Sequence, residues 1–392
     1  MRVTLVVGAR PQFVKAAVLE RVLVAAGIEV RLLHTGQHYD DLMSSIFFKE
    51  LGLSEPQVNL GAGSGSHGEQ TAAMLAGIEA DLMDQRPDAV IVPGDTNSTL
   101  AGALAAAKLG IPVMHVEAGL RSFNRAMPEE HNRVLTDHLA DVLFATTPAA
   151  VANLRREGKD NVAADGALVQ AEDVADLPLG AGAPLVVNVG DVMFDAATRY
   201  GEQAEEQGRT LDRLALKPGE YVLATVHRAE NTGVGRRLSF IFRGLAEIAR
   251  RVPVVLPLHP RTGNAINSAI TGRWPIPMAG MTVIEPQGYM DMLQLVKNAR
   301  AVCTDSGGLQ KEAYFFGKPC VTLRDETEWT ELVDCGANVV AGADPDTIPE
   351  AYEAVRDAVI EPSGGVFGTG KAGEAVAAVV RQFLEKQASQ TG

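Results

Sequence analysis

Basic residues and cysteines are both in short supply. Thirty-five Lys and Arg stand against 49 Asp and Glu, a formal net charge of −14. That balance excludes any general attraction to nucleic acid or to an anionic membrane, leaving room only for a local basic pocket. The three cysteines, Cys303, Cys320 and Cys335, are odd in number and lack metal-ligand spacing, so they read as reduced thiols of a cytoplasmic protein. No apolar stretch reaches the length of a membrane span. The short apolar run at 3–7 leads into Gly8-Ala9-Arg10-Pro11-Gln12 with no small-residue cleavage site, and reads as a buried strand rather than a signal. No Gly-x-Gly-x-x-Gly follows that strand, and neither Gly-x-x-x-x-Gly-Lys-Ser/Thr nor Gly-x-Ser-x-Gly occurs. Dinucleotide binding, P-loop hydrolysis and serine hydrolysis therefore fall. His38, His115, His131 and His138 lack the His-Glu-x-x-His pattern, which argues against a zinc site.

What remains is an ordinary globular composition, 46% hydrophobic and 21% charged over 392 residues, enough for two domains. Short β-branched runs alternate with Ala/Leu-rich helical runs. Strands are expected at 3–7, 30–34, 89–92, 112–117 and 142–146, with helices at 11–26, 97–109 and 148–157. The rhythm restarts with strands at 221–225, 254–258, 282–284 and 301–304, and helices at 238–251, 289–298 and 309–316. Such alternation predicts an α/β protein with parallel sheets covered on both faces, in two doubly wound Rossmann-like domains facing a cleft. The domains are expected at 1–186 and 187–371. An amphipathic helix at 372–392, after a turn containing Gly364, Gly365, Gly368 and Gly370, would cross back onto the first. The Ala/Gly/Asp-rich stretch 160–184 carries no sustained apolar period and reads as a surface excursion.

Ligands of open parallel sheets bind beyond the carboxyl ends of the strands. In the first series those ends carry Arg10 with Lys15 a turn further, Thr35-Gly36-Gln37-His38, Gly94-Asp95-Thr96-Asn97-Ser98, and Glu117-Ala118-Gly119-Leu120-Arg121. In the second they carry His227-Arg228-Ala229-Glu230-Asn231, His259-Pro260-Arg261 and Asp305-Ser306-Gly307-Gly308. Ser306, Gly307 and Gly308 open a helix whose free N–H groups suit a phosphate, with Arg10 and Lys15 completing a pyrophosphate site. The same residues also make an ordinary N-capped turn. Glu312 suits ribose hydroxyls or is a plain helix carboxylate. Asp95 and Glu117 follow hydrophobic strands, where an unpaired charge is costly; they are either paired with Arg121, Arg125 or Arg133, or used in proton transfer. Asp95 also suits the cap of the following helix, and Glu129-Glu130 the first helical turn after Pro128. His227 and His259 both follow strands, each near an arginine.

The ordered runs Gly8-Ala9-Arg10-Pro11-Gln12, Thr35-Gly36-Gln37-His38, Gly94-Asp95-Thr96-Asn97-Ser98-Thr99, His115-Val116-Glu117-Ala118-Gly119-Leu120-Arg121, Pro128-Glu129-Glu130, Asn132-Arg133, His227-Arg228, Glu230-Asn231, His259-Pro260-Arg261 and Thr304-Asp305-Ser306-Gly307-Gly308 resemble the non-hydrolysing UDP-N-acetylglucosamine 2-epimerases over nearly the whole chain. The resemblance implies a glycosyltransferase-B-like fold and a UDP-sugar substrate, UDP-N-acetylglucosamine interconverting with UDP-N-acetylmannosamine. It implies elimination of UDP to a 2-acetamidoglycal and re-addition on the other face, with no nicotinamide cofactor and no metal. By the same resemblance Asp95, Glu117 and Glu129 are the essential carboxylates, and His227 acts near the diphosphate. Arg10, Lys15, Ser306, Gly307, Gly308 and Glu312 contact UDP, Arg133 lines the cleft, and the assembly is a homodimer. Gln310-Lys311-Glu312 departs from the family's frequent Gln-Glu-Glu. Tyr39-Asp40-Asp41 and Phe315-Phe316-Gly317-Lys318-Pro319-Cys320 look closer to a subgroup acting on UDP-2,3-diacetamido-2,3-dideoxyglucuronic acid. A glycosyltransferase or a nucleotide-sugar binding protein on the same scaffold are the competing readings.

Overall fold

The computed structural model describes residues 1–37, 48–178, 183–269, 274–362 and 365–391; His38, Tyr39, Asp40, Asp41 and Gly364 lie outside them. The chain forms two compact units, Met1–Ala196 with Gly365–Gly392, and Ala197–Gly364.

In the first unit β1 (Arg2–Val7), β2 (Glu29–His34), β3 (Val58–Asn59), β4 (Ala89–Pro93), β5 (Val113–Ala118), β6 (Val142–Ala145) and β7 (Leu185–Asn188) make one sheet, ordered β3-β2-β1-β4-β5-β6-β7. Every pairing is parallel. Helices α1 (Arg10–Ala25), α2 (His67–Gln85), α3 (Asn97–Lys108), α4 (Pro128–Leu139) and α5 (Pro148–Arg156) connect the strands. With helices on the faces, strands such as β4 bury every residue, which is why they read as unbroken apolar runs. Thr147 caps α5 by accepting from Ala150 N at 3.1 Å, and Pro148 begins it.

Helix α6 (Val192–Gln207) leads into the second unit. There β8 (Val222–Thr225), β9 (Val254–Pro257), β10 (Met281–Ile284), β11 (Ala301–Thr304), β12 (Cys320–Thr322) and β13 (Asn338–Val340) are parallel in the order β10-β9-β8-β11-β12-β13. Helices α7 (Gly235–Ala249), α8 (Pro260–Ala269), α9 (Tyr289–Asn298), α10 (Gly307–Phe315) and α11 (Thr347–Val355) join them. One face of this sheet is packed by Phe242, Leu245, Ile348 and Tyr352, the other by Tyr221, Val255, Val296 and Ala313. The chain returns to the first unit as α12 (Ala372–Thr391), which packs on α1. Among the described residues no helix is long and apolar enough to cross a membrane.

Two expectations need correction. The described part of 160–184 is not a surface excursion: Val162 and Leu168 form parallel bridges to Val186 and Asn188, and Ala163, Val169 and Val174 are buried. Its apolar residues are too widely spaced to show a period, yet they cover the β7 edge of the sheet. A boundary at 187 would cut through β7, whose four buried residues complete the first sheet; the first unit runs on to Ala196.

Candidate active site

The first sheet reverses its strand order between β1 and β4, and in folds of this kind ligands bind at that point. The two loops there are sewn together. A Cβ on Gly8 would lie 2.0 Å from Ser98 Oγ, so only glycine allows the approach. Gln12, in the first turn of α1, accepts from Gly8 N at 2.8 Å and donates through Nε2 to Pro93 O at 2.8 Å. The helix so anchored directs Lys15 inward, with Nζ 2.8 Å from Glu117 Oε2 and both side chains nearly buried. The same ammonium lies beside the Gly94–Asp95 loop: a Cβ on Gly94 would be 3.3 Å from it.

Glu117 has φ 79°, at a register irregularity between Val116 and Ala118 in β5. A positive φ on a residue with a Cβ costs on the order of 1–3 kcal/mol, and such strain gathers at working sites. Opposite it, α4 presents Arg133, whose Nη2 is 2.6 Å from Asp95 Oδ2 and whose Nη1 is 2.9 Å from Glu130 Oε2. Glu130 also accepts from Ser122 N and Phe123 N. Burial alone would push its carboxyl up, but these bonds and Arg133 hold it below the usual carboxylate range. Asn132 Nδ2 donates to Asp95 O at 3.0 Å.

Beneath these loops lies a buried charge cluster. His115 Nδ1 donates to Asp137 Oδ1 at 2.6 Å and Nε2 donates to Gly94 O at 2.8 Å. Asp137 Oδ2 accepts from Gly119 N at 3.1 Å and pairs with Arg121 at 2.7 Å. Burial would raise the Asp137 carboxyl, yet His115 and Arg121 outweigh that and hold it low.

The second sheet reverses order between β8 and β11. Asp305, fully buried, accepts from His227 N, Arg228 N and Asn231 Nδ2, each at 2.9 Å to Oδ2. This carboxylate folds the loop that presents His227. The His227 ring lies 5.4 Å from that of His259, and Arg261 donates to His227 O. Desolvation, assisted by Arg228 and Arg261 and opposed by Asp305, pushes the His227 imidazole below its ordinary value. Ser306 caps α10 by accepting from Leu309 N. At Gly307 a Cβ would fall 2.3 Å from Glu328 Oε1, whereas at Gly308 no atom comes nearer than Ser306 Oγ at 4.0 Å. Burial would raise Glu328, but Arg324 at 2.8 Å holds it below the carboxylate range. Glu312 is buried one turn into α10, and Lys311 Nζ sits 4.1 Å from the centre of the Trp329 ring.

The first unit thus brings Lys15, Asp95, Glu117 and Arg133 together, with Arg10 opening α1 and half-buried Glu129 in the first turn of α4. No described residue forms an ion pair or side-chain hydrogen bond with Glu129. The second unit brings His227 beside Asp305, next to Ser306, Gly307, Gly308 and Glu312. Asp95 does not cap α3; Thr96 does. Glu117 pairs with Lys15, a partner not among those expected for it. Asp137 and Glu328 were missed as contributors, since nothing local separates a buried carboxylate on a helix or in a loop from an exposed one, and Glu130 was named only with Glu129 as an ordinary first helical turn. The three-residue spacing of Glu130 and Arg133 was the one available signal.

The family described as UDP-N-acetylglucosamine 2-epimerase matches residues 21–381. The chain is 45% identical over 379 residues to the UDP-2,3-diacetamido-2,3-dideoxy-D-glucuronate 2-epimerase of Pseudomonas aeruginosa, covering 96% of this chain and 98% of that protein. It is 39% identical over 384 residues to the UDP-N-acetylglucosamine 2-epimerase of Methanocaldococcus jannaschii, covering 97% and 99%. A crystal structure of UDP-GlcNAc 2-epimerase from M. jannaschii in complex with UDP-GlcNAc and UDP superposes with a TM-score of 0.82 at 38% identity, covering 97% of this chain and 100% of that one. The α/β fold with two parallel sheets is therefore of the glycosyltransferase-B-like kind expected above.

Proposed function

The chain belongs to the UDP-N-acetylglucosamine 2-epimerase family of isomerases acting on UDP-sugars, and from that premise we propose that it interconverts UDP-N-acetylglucosamine and UDP-N-acetylmannosamine. The observation that carries this reading is the pair of cation-clasped carboxylates at one sheet's switch point, Lys15 with Glu117 and Arg133 with Asp95.

The substrate's C2 proton has no neighbouring carbonyl to acidify it, so departure of UDP must drive its loss. A carboxylate takes the C2 proton, the C1–C2 bond becomes double, and the C1–O electron pair leaves with UDP. In the return step a proton reaches the opposite face of C2 and UDP re-adds at C1. Asp95, Glu117 and Glu129 form the set that moves the proton and stabilises positive charge at C1. Lys15 and Arg133 hold two of these carboxylates in place. In the second unit His227 and the Ser306-Gly307-Gly308 turn at the N-terminus of α10 suit the diphosphate, with Glu312 toward the ribose; in the first unit Arg10 is a further cation suited to UDP.

A second reading has its own support. The 45% identity to the P. aeruginosa protein favours the same reaction on UDP-2,3-diacetamido-2,3-dideoxyglucuronic acid. Incubation in deuterated water with UDP-N-acetylglucosamine and with its 3-acetamido and 6-carboxylate analogues, followed by proton NMR, tests both. Deuterium at C2 together with the epimer identifies the substrate; no exchange on any member of the panel overturns the reading. A transferase would leave C2 protonated and need an acceptor. We also infer a homodimer, to be checked by light scattering, and a cytoplasmic location, supported by free thiols of which Cys303 and Cys320 are buried.

A further inference from the structure

We propose that Asp137 is a positioning residue that sets the placement of Asp95 relative to Glu117, a role that rests on the epimerase reading above. One carboxylate reaches both catalytic loops. Through His115 it holds the carbonyl of Gly94, the residue before Asp95. Through Oδ2 it holds the amide of Gly119, two residues after Glu117. The bonds fall where the backbone is least regular: Gly94, Glu117 and Gly119 have φ of 73°, 79° and 81°. Neither ring nitrogen of His115 is left for solvent, and both His115 and Asp137 are completely buried.

A buried charge cluster is a poor way to gain stability, because desolvation offsets most of the attraction and well-packed apolar groups do as well. What this cluster supplies is geometry. Arg121 balances the charge of Asp137 and is itself held in a two-bond clasp by Glu157 at 2.8 and 2.6 Å. Helix α4 completes the device. Arg133, one turn before Asp137, grips the Asp95 carboxylate, and Asn132 donates to Asp95 O, while Asp137 holds the Gly119 amide directly and the Gly94 carbonyl through His115. The helix therefore fixes side chain and main chain of the same loop.

Misplacing a reacting group by about 1 Å costs on the order of 100-fold in rate. Asp137→Asn keeps the shape but cannot accept from His115 and Gly119 while also pairing with Arg121. We expect kcat to fall about 100-fold, with KM and UDP affinity within about threefold of wild type, and faster hydrogen exchange at the Gly119 amide. Glu157→Gln serves as contrast: it loosens Arg121 at the half-exposed end, and should lower the melting temperature while leaving kcat unchanged. If Asp137→Asn does not fold, His115→Gln, which cannot bond both Asp137 and the Gly94 carbonyl as the imidazole does, should show the fall in kcat without the faster exchange at Gly119. A folded variant with wild-type kcat overturns the inference, as does an equal kcat loss in Glu157→Gln. Absence of C2 exchange in the wild-type protein, run alongside, would instead overturn the epimerase reading.

Discussion

Lys15 Nζ lies 2.8 Å from Glu117 Oε2, and Glu117 meets it from a backbone φ of 79°. The pair joins α1 to the end of β5 across 102 positions of sequence (117 − 15) and is nearly closed to solvent. Removing one partner of such a pair strands the other charge, which costs roughly 3–5 kcal/mol. Lys15→Met should lose about that much in urea unfolding, and Lys15→Met with Glu117→Gln should recover most of it. A double-variant loss equal to the sum of the losses in Lys15→Met and Glu117→Gln alone would show that the two groups are not coupled.

Replacing the carboxylates tests the chemistry rather than the fold. Asp95→Asn and Glu117→Gln retain oxygen acceptors for Arg133 and Lys15, and His227→Asn retains a donor. Each should fold and lose at least about 100-fold in kcat, the usual scale of a lost proton-transfer group. Near-normal turnover in all three would remove the mechanism.

UDP binding should take up a proton at His227. In the free protein burial, together with Arg228 and Arg261 and against the pull of Asp305, holds this imidazole below its ordinary value. A bound diphosphate favours the charged form and raises its pKa. A group whose pKa rises on binding makes affinity increase as pH falls through the bound-state value. Calorimetry between pH 8 and 6 in buffers of different ionisation enthalpy should show this uptake, beyond that of UDP itself. An identical pH slope in His227→Asn would refute it.

Stability should fall across mildly acid pH because of Asp195. Its carboxylate accepts from Gly373 N at 2.8 Å and Ala372 N at 3.1 Å, at the start of α12. Burial, reinforced by Asp191, nevertheless pushes its pKa up to about 6 from 3.8. The folded chain then holds more protons than the unfolded chain between those values, so stability decreases as pH rises from about 4 to about 6 and is level above. The full effect is of order 3 kcal/mol. Melting curves for wild type and Asp195→Asn should diverge in that window, with the flatter profile in the variant; parallel curves would exclude the role.

Much of the fold was legible because strands buried on both faces must be almost wholly apolar, and 3–7, 89–92, 221–225 and 301–304 are, with a threonine the one polar residue in three of them. The strands at 185–188, 320–322 and 338–340 were missed since three or four apolar residues look alike in a strand and in a loop edge. The site residues were partly legible for a related reason: a polar residue straight after a buried strand, such as Asp95 or His227, must emerge where that strand ends. Which of Glu129 and Glu130 would turn inward was not, because both begin the same helix and it is the Ser122–Phe123 backbone, the Ser122 hydroxyl and Arg133 that select Glu130.

The amino-acid order by itself determined the α/β class, the strand ends that carry polar groups, and the ordered motifs that mark the family, because these depend on neighbours within a few residues. Only the tertiary structure decided that Lys15 meets Glu117, that Arg133 meets Asp95, and that Asp137 reaches both loops. Those pairings join residues distant along the chain, and ångström-scale distances between separate strands and helices, which no local pattern encodes, set the strength of each.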